Sequence, residues 1–208
     1  MSMRPKPRHR RAARLHPDIA TVVVPPAALA RRVRELGAQI TAECAGQELV
    51  LLGVLKGAMV FLADLARAIQ LPLTVEFVSA ASYGRGTQSS GVVHLRREGE
   101  LPVRGRHVLV VDTILDTGLT LRALDAALRE QQPASVRYCV LLCKDRGGPP
   151  PFPVDYIGFT IPDQFVVGYG LDYAERYRNL PYVGVLRASA YVVAPAAAGT
   201  EEPSALPR

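Results

Sequence analysis

The stretch that most constrains this chain lies at residues 107–120, where His-Val-Leu-Val-Val runs straight into Asp112-Thr113-Ile114-Leu115-Asp116-Thr117-Gly118-Leu119-Thr120. A short, unbroken apolar run reads as a strand buried on both faces, which is the habit of a parallel sheet. Leu121, Leu124 and Leu128 then recur at helical spacing. Strand, polar turn and helix in that order define an α/β unit, and open parallel sheets bind ligands beyond the carboxyl ends of their strands. The turn carries two carboxylates, three hydroxyls and a glycine. Gly118 lets the backbone aim N–H groups at one point, and a helix N-terminus adds positive potential, so Asp116 to Thr120 can cradle a phosphate. No Gly-Lys-Ser/Thr follows, which points to a sugar phosphate and away from a nucleoside triphosphate. The same spacing also fits a helix whose Asp and Thr residues act only as ordinary caps.

The rest of the chain repeats the alternation. Pro25-Pro26 introduce an amphipathic helix over 27–45, and Leu49–Leu55 forms an apolar strand that ends at Lys56-Gly57. A second helix is predicted over 58–69, a strand over 75–79, a mobile small-residue loop over 82–91 and strands over 92–96 and 136–143. From 152 to 187 the pieces are short and rich in aromatics, as in a small subdomain. The expected architecture is one α/β domain: an open, mostly parallel, Rossmann-like sheet flanked by helices, with a small C-terminal hood.

Charge divides the chain unevenly. Of the 25 Lys and Arg residues, Arg4, Lys6, Arg8, Arg10, Arg11 and Arg14 fall before residue 17 with no acid among them. The remaining 19 cations meet 19 acids, so the net +6 belongs to the arm and the body is neutral. We therefore expect a disordered basic arm over 1–20, a folded body over 21–193 whose hood comes mainly from 145–187, and a disordered tail over 194–208. A solvated arm is the expectation, with nucleic acid not a partner. Cys139 and Cys143, four apart on a strand, lie about 13 Å from one another, too far for a disulfide. Three cysteines without a pairing pattern fit a reducing cytoplasm, and no apolar run approaches the ~18–20 residues needed to cross a bilayer.

Val110 to Thr120 resembles the phosphoribosyl-pyrophosphate (PRPP) loop of the type I phosphoribosyltransferases. Four further segments follow in the family's order: Leu55-Lys56-Gly57; Ser82-Tyr83-Gly84; Leu142-Cys143-Lys144-Asp145; and the run from Ile157 to Tyr173 with Arg178-Asn179-Leu180-Pro181. Over about 22–187 the chain is similar to the hypoxanthine-guanine phosphoribosyltransferases. The resemblance implies transfer of ribose 5-phosphate from PRPP to N9 of hypoxanthine or guanine, with release of pyrophosphate and Mg²⁺ as cofactor. It assigns Asp116 as general base at purine N7, and Thr117, Gly118, Leu119 and Thr120 as holders of the 5-phosphate. Asp112 and Thr113 would meet the ribose hydroxyls. Lys56, Gly57 and Arg178 would take pyrophosphate, with a cis peptide between Leu55 and Lys56. Lys144 would donate to the 6-oxo group, Phe165 would stack on the base, Val166 would offer its backbone to the pyrimidine edge, and Asp172 would sit at the purine. Asp172 and Asp112 are the implied metal contacts, Ser82 and Tyr83 begin the implied lid, and a homodimer or homotetramer is the family's habit.

One position departs from the pattern. The family usually has two consecutive acids before Ile114, and here the second is Thr113; restoring an acid there is expected to tighten PRPP binding. Two other readings remain beside the enzyme of hypoxanthine and guanine: a PRPP- or nucleotide-sensing regulator whose arm contacts nucleic acid, and a xanthine-preferring transferase. The retained Asp116 and the purine-side set Lys144, Phe165 and Asp172 favour the enzyme over a sensor. The scarcity of lysine (only Lys6, Lys56 and Lys144 occur, two of them in matched motifs) speaks against Lys56 as a mere surface residue.

Overall fold

The computed structural model describes residues 15–82, 93–96 and 101–191. The elements are β1 (Ile19–Val24), α1 (Pro26–Glu43), β2 (Leu49–Leu55), α2 (Met59–Ala68), β3 (Leu73–Ser82), β4 (Val93–Arg96), β5 (His107–Leu115), α3 (Leu119–Arg129), β6 (Ser135–Asp145), β7 (Tyr156–Pro162), β8 (Val166–Val167) and β9 (Val183–Leu186). Six strands form one sheet in the order β4-β3-β2-β5-β6-β7, with only β4 antiparallel.

Side chains alternate across a strand, and here the alternation sorts the core into two layers. Leu51, Leu109 and Leu141 face α1 and α2, where Leu29, Leu36, Ile40, Phe61 and Leu65 complete one cluster. Val50, Leu52, Val108, Val110 and Val140 face α3 and pack on Leu121, Leu124 and Leu128. Strands buried on both sides need no polar face, which is why β2, β5 and β6 were visible as unbroken apolar runs.

Two expectations are corrected. The hood was placed mainly in 145–187, but β7 joins the main sheet beside β6. As an edge strand it is only partly covered, so it lacks the continuous apolar run that marks its neighbours. The hood is a three-stranded sheet, β1-β9-β8; β8 and β9 lie within 145–187, while the third strand is the N-terminal β1, which pairs antiparallel with β9. The arm therefore stops short of residue 20. Ile19 is fully buried with Val167, Tyr182 and Leu186 under the hood, and the His16 N–H donates to the Tyr182 hydroxyl at 2.9 Å. Residues 1–14 and the tail over 194–208 lie outside the described residues, as does most of the loop predicted over 82–91.

Candidate active site

Strands β2, β5 and β6 end on one side of the sheet and open a cleft of about 690 Å³ lined by Lys56, Gly57, the whole run Asp112–Leu121, Arg146, Asp172 and Arg178. β5 runs further than its apolar stretch predicts, to Leu115, because Ile114 and Leu115 keep pairing with Leu142 and Cys143 of β6. The turn that follows is therefore only Asp116-Thr117-Gly118.

Gly118 holds φ +77° at the N-cap of α3, a conformation L-residues rarely adopt, with Pro151 and Phe152 packed close behind it. No side chain caps this helix. The first intrahelical bond here is that of the Arg122 N–H to the Gly118 carbonyl at 3.0 Å. The ordinary capping role that the spacing allowed to Asp and Thr is thus not taken up. Leu119 and Thr120, the first residues of α3, line the cleft, so the unbonded N–H groups and positive dipole end of a helix start stand at its wall, an arrangement suited to a phosphate.

On the opposite wall, the Leu55–Lys56 peptide is cis, as the resemblance implied. Lys56 Nζ donates to Glu175 Oε2 at 3.0 Å. Arg178 donates to the Gly170 carbonyl at 2.8 Å and pairs with Asp172 Oδ1 at 2.7 Å. Gly170, at φ +102°, presses against Gly57, where a Cβ would overlap the Gly57 carbonyl oxygen. Among the described residues, two buried side-chain polar atoms lack a partner, Thr113 Oγ1 and Arg178 Nε, and both belong to residues of this cleft.

Thr113 needs a correction. It is fully buried in the cleft wall, with its unpartnered hydroxyl next to Gly57. An acid placed there would be an unpaired buried charge. The expectation that Thr113→Asp tightens PRPP binding is therefore withdrawn. That variant should instead lose several kcal/mol of stability by denaturant titration, whereas Thr113→Val, which deletes an unpartnered hydroxyl at constant volume, should be neutral or gain up to about 1 kcal/mol.

Asp112 sits at the floor. Burial pushes its carboxyl up to about 6, against the opposing pull of the Thr113 and Ile114 N–H groups, the first donating at 2.7 Å. The folded protein thus binds this proton more tightly than the unfolded chain. The resulting stability is complete below about pH 4 and is lost as pH rises through about 6. At pH 7 and with chelator present, Asp112→Asn should raise the stability of the unliganded protein by about 1–3 kcal/mol and flatten the slope between pH 4 and 6. Thermal melts across that range check both.

Asp116 and Lys144 meet at the mouth, Nζ to Oδ2 at 3.1 Å. Phe165 is half-buried outside the cleft, edge-on to Tyr173 and Tyr191 with centroids 5.9 Å and 6.1 Å away. Val166 lies in β8, whose outer edge pairs with no strand of the hood sheet. Ser82 ends β3, and Tyr83 lies outside the described residues. Four residues passed over in the sequence also stand at the site: Arg146, Asp163, Gly170 and Glu175. The parallel register offers a signal for two of them, since Asp145 opposite Pro162 brings Arg146 and Asp163 together just past the strand ends.

Comparison with known proteins agrees with this geometry. Residues 25–174 match the model of the phosphoribosyl transferase domain. The chain is 44% identical over 177 residues to the hypoxanthine-guanine phosphoribosyltransferase of Streptococcus pneumoniae, covering 85% of this chain and 98% of that protein. It is 43% identical over 174 residues to the enzyme of the same name from Bacillus subtilis, covering 84% and 97%. Among solved structures, the hypoxanthine phosphoribosyltransferase of Trypanosoma cruzi, in complex with the product IMP, superposes with TM-score 0.77 at 37% identity, covering 86% of this chain and 100% of that one. A Staphylococcus aureus hypoxanthine phosphoribosyltransferase gives TM-score 0.77 at 37% identity, covering 84% and 95%. On the family match over residues 25–174 and these identities, the chain belongs to the phosphoribosyl transferase family and to its hypoxanthine-guanine branch, transferases of purine salvage.

Proposed function

We propose that the cleft binds PRPP across the α3 N-terminus and the Lys56–Gly57 turn, and sets an oxopurine against Asp116 and Lys144. The observation that carries the reading is the uncapped start of α3 beside Asp116. Free N–H donors for a phosphate stand next to a carboxylate with nothing to do in the fold except meet cations. N9 of the purine attacks C1 of the ribose, the bond from C1 to the pyrophosphate oxygen breaks with its electron pair leaving on pyrophosphate, and Asp116 accepts the N7 proton. Lys56 and Arg178 take the leaving group, Gly57 gives it room, and the backbone and hydroxyls from Thr117 to Thr120 keep the sugar phosphate in place. Lys144 donates to a 6-oxo group and leaves a 6-amino group facing an unpaired ammonium, which rejects adenine. Phe165 supplies a stacking face, and Val166 supplies the free edge of β8.

Magnesium fits the donors present. Among the described residues no three metal-ligating side chains cluster, and Asp112 and Asp172 stand as single carboxylates, which suits an ion that completes its shell with waters and substrate oxygens. When bound, that ion neutralises the departing pyrophosphate. We also propose a homo-oligomer, supported by Val75 and Phe77, 41% and 43% exposed on one face of β3. A cytoplasmic location is supported by three buried, unpaired cysteines; no described helix is long and apolar enough to cross a membrane. Initial rates with PRPP, Mg²⁺ and each of hypoxanthine, guanine, xanthine and adenine test the function. Nucleotide should form with hypoxanthine and guanine and not with adenine; turnover of adenine alone would overturn the reading.

A further inference from the structure

Four charges at the carboxyl ends of β5, β6 and β7 close into a ring. Lys144 Nζ lies 3.1 Å from Asp116 Oδ2 and 3.0 Å from Asp163 Oδ1. Arg146 reaches Asp163 Oδ2 with Nε at 3.0 Å and meets Asp116 Oδ1 with a terminal nitrogen. Every carboxylate oxygen in the ring thus already accepts from a cation, and a purine proton at Asp116 must compete with Lys144 and Arg146 for it. The two cations are not equally free to do so. The Lys144 side chain is 12% exposed and that of Arg146 is 44% exposed, so the lysine is the fixed member and the arginine the one with room to swing.

When Asp116 turns to the base, both cations stay charged and need an anion, because a largely covered charge without a partner is costly. Asp163 is that anion. It contacts both of them, and those contacts, Lys144 first and then Arg146, hold its carboxyl below the usual carboxylate range. We propose that Asp163 is a positioning residue for recognition of the 6-oxo group: it keeps Lys144 aimed at the purine edge and draws Arg146 away from Asp116 while the base is bound. The proposal rests on the reading of the cleft given above, and it assigns a task to a pair, Arg146 and Asp163, that the transfer reaction itself does not use.

Asp163→Asn is the test, with purine KM, PRPP KM and turnover measured separately. Without the second carboxylate both cations settle on Asp116, and the entering purine must break two contacts instead of exchanging one. Purine KM should rise about tenfold, with PRPP KM within about twofold of the parent value. Adding Arg146→Met to Asp163→Asn frees one Asp116 oxygen and should bring purine KM back to within about threefold of the parent, a rescue that a merely structural role would not produce. An unchanged purine KM in Asp163→Asn, or a double variant no better than the single one, overturns the proposal. If Asp163→Asn does not fold, Arg146→Met alone decides: purine KM should stay level or fall, and a rise overturns the proposal. A parent protein inactive with all four bases would overturn the reading of the cleft and this proposal with it. An active parent with an unresponsive Asn variant overturns this proposal alone.

Discussion

Asp116→Asn should lower turnover by about 10²-fold or more, while the folded protein keeps its thermal midpoint to within a few degrees. The expected size is that of a positioned proton acceptor removed from the transition state. Asparagine keeps the shape and one acceptor oxygen of the side chain, so Lys144 retains a partner in it, and Asp163 remains for both cations. The substituted amide cannot take the N7 proton, so the loss should fall on kcat, with purine KM moving much less. Single-turnover measurements separate the chemical step from product release. A kcat within threefold of the parent would remove Asp116 from the role of general base.

Gly170→Ala should be the most damaging of the small substitutions, lowering kcat/KM for PRPP by about 10²-fold although residue 170 is given no role in the chemistry. Two costs coincide there. The residue holds φ +102°, where a side chain is strained by roughly 1–3 kcal/mol, and an added Cβ would overlap the Gly57 carbonyl oxygen. The collision can be relieved only by shifting the Lys56–Gly57 turn or the hood segment that carries Asp172 and Arg178, the two parts that the proposed function sets around the pyrophosphate. A misplacement of about 1 Å is enough for a loss of this order. Gly105→Ala is the control: its φ is +67° and nothing lies within contact distance of an added Cβ, so its cost should be confined to stability. Equal effects of the two substitutions on PRPP kinetics would contradict the close approach as the cause.

The parts of the molecule legible in the sequence are those governed by short-range pattern. β2, β5 and β6 were visible because strands buried on both faces leave unbroken apolar runs, and α3 because Leu121, Leu124 and Leu128 fall on one face. The turn from Asp116 to Thr120 was legible as part of a cleft for the same reason, its residues being contiguous at the start of α3. What escaped depends on long-range pairing. β1 has no counterpart among the elements expected from the sequence, where its first residues fall in the arm over 1–20, because its partner β9 lies some 160 residues later. β7 is an edge strand with a broken pattern. The ring through Arg146 and Asp163 exists only because β6 and β7 run in parallel register. Gly170 looks like one more turn glycine until the hood is folded over Gly57. The burial of Thr113 also escaped, because the resemblance assigns it only a ribose contact, whereas its place in β5 leaves its side chain fully buried.

A crystal structure of the protein with IMP tests the central claim most directly. The account predicts the 5′-phosphate on the backbone N–H groups between Thr117 and Thr120, purine N7 facing Asp116, and the 6-oxo oxygen within hydrogen-bond distance of Lys144 Nζ, with Arg146 turned from Asp116 to Asp163. A nucleotide whose phosphate sits away from the start of α3, or whose base lies beyond reach of both Asp116 and Lys144, would contradict it.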